Sequence, residues 1–239
     1  RVHQCPDQLL QNPYTMTADP EARILRSWQR NAASWIRAIE QNEIHSRTGV
    51  TNAAMVTAIL SLKPTGVLDI GCGEGWLCRA LHGHGIATCG LDAIPELIAS
   101  ARQSGPQHYE VAAYEDLKNF RAEPACDVAV CNFSLLGNES VEQVFDSLPA
   151  LLPSPGHFVI QTLHPDYCLP ERPAADGWLP GSWTGFNDGF RDPPPWYYRT
   201  VAGWHDLFTR HHLELQETRE PAGADGLPVS IIFISRRRN

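Results

Sequence analysis

The stretch Val67-Leu68-Asp69-Ile70-Gly71-Cys72-Gly73-Glu74-Gly75-Trp76-Leu77 constrains this chain more than any other. Val67, Leu68 and Ile70 around one acid suit a strand covered on both faces, as in a parallel sheet flanked by helices. Gly71, Gly73 and Gly75 follow at alternate positions. Without Cβ atoms they admit left-handed backbone angles and let a ligand approach the main chain. The helix predicted to begin near Gly75 aims its free N–H groups at the same spot. The segment therefore reads as a nucleotide-type ligand site at a strand-to-helix turn.

Spacing and the acid narrow the ligand. A dinucleotide fingerprint is G-x-G-x-x-G, with a helix dipole facing a pyrophosphate. Here the spacing is G-x-G-x-G, with Asp69 two residues before Gly71. A carboxylate beside that turn repels a pyrophosphate and suits a cationic ligand, such as one carrying an amino group and a sulfonium. The nonapeptide Val67-Leu68-Asp69-Ile70-Gly71-Cys72-Gly73-Glu74-Gly75 resembles the first motif of the class I S-adenosylmethionine-dependent methyltransferases. The resemblance spans roughly residues 30 to 236. It implies S-adenosyl-L-methionine as cofactor, S-adenosyl-L-homocysteine as product, and an α/β fold. That fold is a doubly wound, Rossmann-like, mostly parallel seven-stranded sheet with a C-terminal antiparallel hairpin. It also implies cofactor contacts at Asp69, Gly71, Cys72 and Gly73.

The same fold organises the rest of the chain. Residues 1–20 are polar and contain prolines, which suggests a loose arm. From Pro20 to Gln41, Ile24, Leu25, Trp28, Ala32, Trp35, Ile36 and Ile39 recur at helical steps. Trp28 and Trp35 read either as core or, by the resemblance, as part of a helix lying across the cofactor mouth. In the second case Asn31 and Arg47 face the site, Trp35 contacts the cofactor, and Arg47 pairs with its carboxylate. Residues 1–50 thus form an arm and covering helix, and residues 51–239 the catalytic domain. Thr51 is expected to cap a helix over Asn52–Leu62. Ile86–Leu91 is the second strand, ending in Asp92, which lies 21 residues beyond Gly71. An acid at that strand tip accepts hydrogen bonds from ribose hydroxyls. Asp92 is equally suited to cap the helix Ile94–Arg102, and the two roles are compatible. Ala93 belongs with it in the cofactor site.

His108–Val111 makes a third strand. Where related enzymes place an acid against the adenine amino group, this chain has Ala113, and main-chain groups of Tyr114 or the carboxylate of Glu115 could substitute. Asp127–Phe133 reads as the fourth strand and its turn, which puts Asn132 and Phe133 near the reacting methyl group at the topological switch point. A helix over Val141–Leu152 leads to a fifth strand, His157–Leu163, with His164 at its carboxyl end. There His164 is either a turn residue or the general base that an ionisable acceptor needs. Residues 166–199 are crowded with Pro, Gly and aromatics. Their composition argues for a lid over the substrate rather than disorder, a folded insertion over a sheet edge being the alternative. Trp183, Phe186, Trp196, Tyr197 and Tyr198 are its candidate substrate contacts, suited to an aromatic or cationic amine acceptor. Thr200 caps a helix over Val201–His211, and strands at Leu213–Arg219 and Ser230–Ser235 form the terminal hairpin.

A net charge of −8 favours a small-molecule acceptor over nucleic acid, and Arg236-Arg237-Arg238 reads as a solvated end. No apolar run reaches membrane-span length, and the N-terminus lacks a signal-peptide pattern. Seven cysteines, with no C-x-x-C and no zinc-like His/Cys spacing, suggest a reducing cytoplasm and no metal. The expected activity is methyl transfer to an O or N atom of a small acceptor. The alternatives are a silent module that binds the cofactor or its demethylated product and, on the strength of Asp92, an NAD-dependent oxidoreductase.

Overall fold

The computed structural model describes residues 19–169 and 171–238. Most of the expected arm at 1–20 lies outside the described residues. Five parallel strands build the sheet: β1 (Gly66–Ile70), β2 (Ala87–Asp92), β3 (His108–Val111), β4 (Val128–Asn132) and β5 (His157–Thr162). A two-stranded insertion follows, β6 (Gly177–Leu179) with β7 (Trp196–Tyr198). The last strands, β8 (Leu213–Arg219) and β9 (Ile231–Arg237), are antiparallel to each other, and β9 is antiparallel to β5. The order of the large sheet is β3-β2-β1-β4-β5-β9-β8. β1 is buried at every position, as its apolar run predicts.

Successive residues of a strand point to opposite faces, and each face here has its own core. Leu68, Ile70, Ala129, Cys131, Phe158, Ile160 and Phe233 pack on helices α5 (Glu139–Leu151) and α6 (Val201–Arg210). Val67, Val128, Val130, Val159 and Ile232 pack on α2 (Asn52–Ser61) and α3 (Trp76–His82). Helix α1 (Pro20–Glu40) lays Ala32, Trp28, Trp35 and Ile36 on Ile94 and Leu97 at the start of α4 (Pro95–Ser104). Its Glu21 accepts from the N–H groups of Asn138 and Glu139 at 2.7 and 2.9 Å and from Ser140 Oγ at 2.7 Å, so α1 caps α5.

Two expected caps differ. Thr51 makes no capping bond, because Arg47–Thr51 is already a π-helical turn running into α2. The N-cap of α4 is Ile94, and Asp92 binds the Ile94 N–H from just outside the helix. Thr200 does cap α6, accepting from Gly203 N–H at 2.9 Å. Among the described residues no helix is long and apolar enough to cross a membrane, and no group of three or more His, Cys, Asp or Glu could hold a metal.

Candidate cofactor and acceptor site

The chain winds from β1 outward to β2 and β3, then returns to β4 on the other side of β1. The crevice at the carboxyl ends of β1 and β4 is therefore the switch point where ligands bind in such sheets. Gly71, Gly73 and Gly75 all have positive φ, 77°, 58° and 82°. The N–H groups of Gly71 and Cys72 both donate to Leu91 O, at 2.7 and 2.8 Å, pinning the loop to β2. A Cβ on Gly71 would sit 2.3 Å from Ser134 Cβ, and one on Gly75 2.5 Å from the Tyr109 hydroxyl. At Gly73 it would meet only the indole nitrogen of Trp35, at 3.5 Å. Packing thus demands two of the glycines, while the third opens a space roofed by Trp35.

Asp92 stands at the edge of that space. One carboxylate oxygen accepts from Gly73 N–H and the other from Ile94 N–H, both at 2.9 Å. Burial pushes its carboxyl up to about 6 against the pull of these bonds. Each oxygen keeps a lone pair for a further donor. Ala93 is half-buried beside it. On the adjacent loop the Ala113 N–H donates to Asp116 at 3.2 Å, and Glu115 is exposed. Asp116, not Glu115, is the acid held against this loop; its place three residues after Ala113, at a turn start, was the available signal. The Tyr114 hydroxyl donates to Ser134 O at 2.9 Å, and Ser134 Oγ donates to Ile70 O at 2.8 Å, so β1 and β4 are tied above the sheet.

Several buried polar atoms around the loop have no partner. Asp69 Oδ1 is one; the other oxygen takes a long contact of 3.7 Å from the Cys78 thiol, and burial pushes the carboxyl up to about 8. Glu74, absent from the sequence-based set, is buried, pairs one oxygen with Arg79 at 3.3 Å and leaves Oε2 unpaired. Arg47 lies between the rings of Trp35 and Trp76, at 5.2 and 5.1 Å, with Nε donating to Asn52 Oδ1 at 3.4 Å and Nη1 unpaired. Burial lowers its pKa, while Glu74 acts to raise it. An unpaired buried polar group costs about 1–3 kcal/mol, so such a cluster marks where a ligand's polar groups belong. One donor beside two carboxylates fits the zwitterionic end of an amino acid: carboxylate to Arg47, ammonium to Asp69 and Glu74.

On the β4 side, Phe133 has φ 55°, an uncommon angle for a bulky residue, and its N–H donates to Gln161 O at 2.8 Å. Asn132 Oδ1 has no partner. His164, expected as a base, is 2% exposed. Its Nε2 is 3.0 Å from Glu220 Oε1, and Nδ1 accepts from Asp166 N–H at 3.2 Å. Both ring nitrogens are thus engaged within the protein. Of the two readings the sequence left for His164, turn residue or base, these contacts support the first, a clamp at the foot of the cap.

The cap is anchored to α1. Trp183 meets Trp28 at 5.7 Å, Phe186 at 5.2 Å and Phe190 at 4.8 Å. Asn31 does not face the site; it bridges to the cap, donating to Arg191 O at 2.7 Å and accepting from Arg191 N–H at 2.8 Å. Tyr198 is fully buried with its hydroxyl on Pro165 O at 3.2 Å, a core residue rather than a substrate wall. Tyr197 packs on Trp178 at 5.4 Å and on the Arg199 guanidinium at 4.7 Å. Trp196 meets Tyr198 edge-on at 5.9 Å and stays half-exposed.

Comparisons with known proteins agree with this fold. A family model described as a methyltransferase domain matches residues 45–217, well over half of the chain. A ubiquinone biosynthesis O-methyltransferase of Xylella fastidiosa is 34% identical over 110 residues, 44% of this chain and 44% of that protein. The chain thus spans less than half the length of that curated relative. Among solved structures, an S-adenosylmethionine-dependent methyltransferase from Mesorhizobium loti is 28% identical with a TM-score of 0.55, covering 72% of this chain and 90% of that one. The 1,6-didemethyltoxoflavin-N1-methyltransferase of Burkholderia thailandensis, 16% identical, has a TM-score of 0.62 over 93% of this chain and 92% of that one, a likeness of fold.

Proposed function

The chain belongs to the class I S-adenosylmethionine-dependent methyltransferases, and on that premise we propose that it methylates a nitrogen or oxygen atom of a small acceptor, aromatic or amine-bearing, held beneath the cap of residues 166–199. S-adenosylmethionine is the cofactor and S-adenosylhomocysteine the product. The observation that carries the reading is the set of unpaired buried atoms beside the left-handed glycine loop, roofed by Trp35 of the helix to which the cap is anchored.

When bound, the cofactor supplies an electrophilic methyl group. The chain's own residues hold, align and dry the site. Arg47 receives the carboxylate, Asp69 and Glu74 the amino group, the Gly73 main chain the body of the molecule, and Asp92 the ribose hydroxyls. Cys72 and Ala93 line it, Ala113 and Tyr114 flank the base, and Trp35 closes the mouth. Asn132 and Phe133 border the reacting atom. The charge of −8 supports a small molecule over a nucleic-acid target, and the thiol-rich interior supports a reducing compartment such as the cytoplasm. The Xylella relative is named for O-methylation and the Burkholderia structure for N-methylation, so both acceptor atoms stay within the proposal.

Incubation with methyl-labelled S-adenosylmethionine and a panel of small aromatic amines and hydroxyls tests this. Label transfer to a panel member is expected. Binding of the cofactor with no transfer to any member would favour a silent module.

A further inference from the structure

Two amide side chains at the carboxyl edge of the sheet are left over once the cofactor's polar ends are assigned. Asn132 ends β4, and Gln161 is its register partner in β5. Register partners in parallel strands point to the same face, about 4.8 Å apart. Here it is the α2 face, because Val128, Val130 and Val159 alternate with them onto that core. Helix α2 leads into the start of β1, so its own start stands over the strand ends. Arg47, Thr51 and Met55 follow at four-residue steps and are all buried.

Asn132 Oδ1 and Gln161 Oε1 are both buried without a partner. Gln161 is 1% exposed, and its Nε2 is already committed to Ser230 Oγ at 3.0 Å. The two amide oxygens are acceptors only. They sit on the β4–β5 side of the switch point, away from Asp92 and the ribose side.

We propose that Asn132 and Gln161 form a recognition pair for the methyl acceptor, selecting a molecule that presents an amino group and rejecting one that presents a carboxylate. Two neighbouring acceptor oxygens need two hydrogens from one small group. An amino or ammonium group carries two or three, a hydroxyl one and a carboxylate none. A carboxylate would set its lone pairs against theirs; Gln161 Nε2 is held by Ser230 and Arg47 is assigned to the cofactor, which leaves it the Asn132 Nδ2 hydrogens alone on this pair. The inference rests on the methyltransferase reading and names its substrate class.

The test is calorimetric titration of the protein saturated with S-adenosylhomocysteine, using benzylamine and benzoate, which share a ring and differ in the polar group. Benzylamine should bind at least tenfold more tightly than benzoate. Gln161→Leu should weaken benzylamine at least tenfold while S-adenosylhomocysteine affinity stays within twofold, which also reports an intact fold. Gln161→Glu, an acceptor-only side chain, should retain benzylamine. Equal or tighter benzoate binding, no benzylamine binding, or benzylamine affinity unmoved in Gln161→Leu would each overturn the pair's role. Failure of the unaltered protein to bind S-adenosylhomocysteine would instead overturn the reading beneath it.

Discussion

A guanidinium between two tryptophans, with one nitrogen unpaired, is a binding group held ready. Arg47→Lys keeps the charge but gives up the planar fork and the ring contacts. It should weaken S-adenosylhomocysteine binding roughly tenfold, and Arg47→Ala by roughly 10- to 100-fold, equivalent to about 1.5–3 kcal/mol for a charge-assisted bond; isothermal titration reads both. Asp69 makes binding pH-dependent. Its carboxyl is pushed from 3.8 up to about 8 by burial, so near neutrality the free protein holds it mostly protonated. An ammonium beside it favours the carboxylate, so S-adenosylmethionine should release up to about one proton on binding at pH 7, and affinity should rise with pH until about 8. Titration in buffers of different ionisation heat measures the proton. In the free protein the sign is opposite for stability. A raised carboxyl pKa contributes stability below about 4 that is lost as pH rises through 8. The loop glycines, Asp69, Asp92 and Arg47, all singled out in the sequence, are brought around one crevice by the fold, and their ligand roles belong to the proposal. Glu74 and Asp116 were not legible in the sequence, because an acid's burial and partner depend on where Arg79 and the Ala113 N–H come to lie in three dimensions.

Helix α1 and the cap behave as one covering element. Ser27, Asn31 and Ser34 all bond the main chain of residues 189–192, and Glu21 caps α5 from the other end of the same helix. Glu21→Ala should lower stability by about 0.5–2 kcal/mol, the usual effect of losing a cap, and thus Tm by a few degrees; thermal unfolding checks it. Asn31→Ala leaves the Arg191 N–H and C=O without their partner and should speed proteolysis within residues 183–192, with a smaller change in global melting. Strands and helices were readable from period and breakers, since β1, β4 and β5 are apolar runs and α1 keeps a helical step. The cap was readable only as a composition. Its aromatics divide between a cluster over α1 (Trp183, Phe186, Phe190) and a buried prop (Tyr198), a division set by which ring meets Trp28 and which hydroxyl meets Pro165. His164 shows the same dependence: a strand-end histidine reads as turn or base, and only the fold brings Glu220, 56 residues away, onto its ring.

For the whole molecule, the sheet order places the glycine loop of β1, the Asp92 tip of β2 and the Asn132 end of β4 around one crevice. The G-x-G-x-G spacing and the antiparallel β8–β9 pair, rather than the convergence itself, separate a methyltransferase from a dinucleotide enzyme here. Calorimetric titration with S-adenosylhomocysteine, S-adenosylmethionine and NAD in parallel, on the unaltered protein and on Gly73→Ala, tests the crevice most directly. Gly73 is the glycine whose Cβ would enter ligand space without a steric clash against the protein, although its positive φ of 58° adds a strain of about 1–2 kcal/mol. Micromolar binding of the first two ligands, none of NAD, and at least tenfold weaker binding by a still-folded Gly73→Ala are predicted. Binding of NAD, or S-adenosylhomocysteine affinity untouched by the added methyl, would contradict the site.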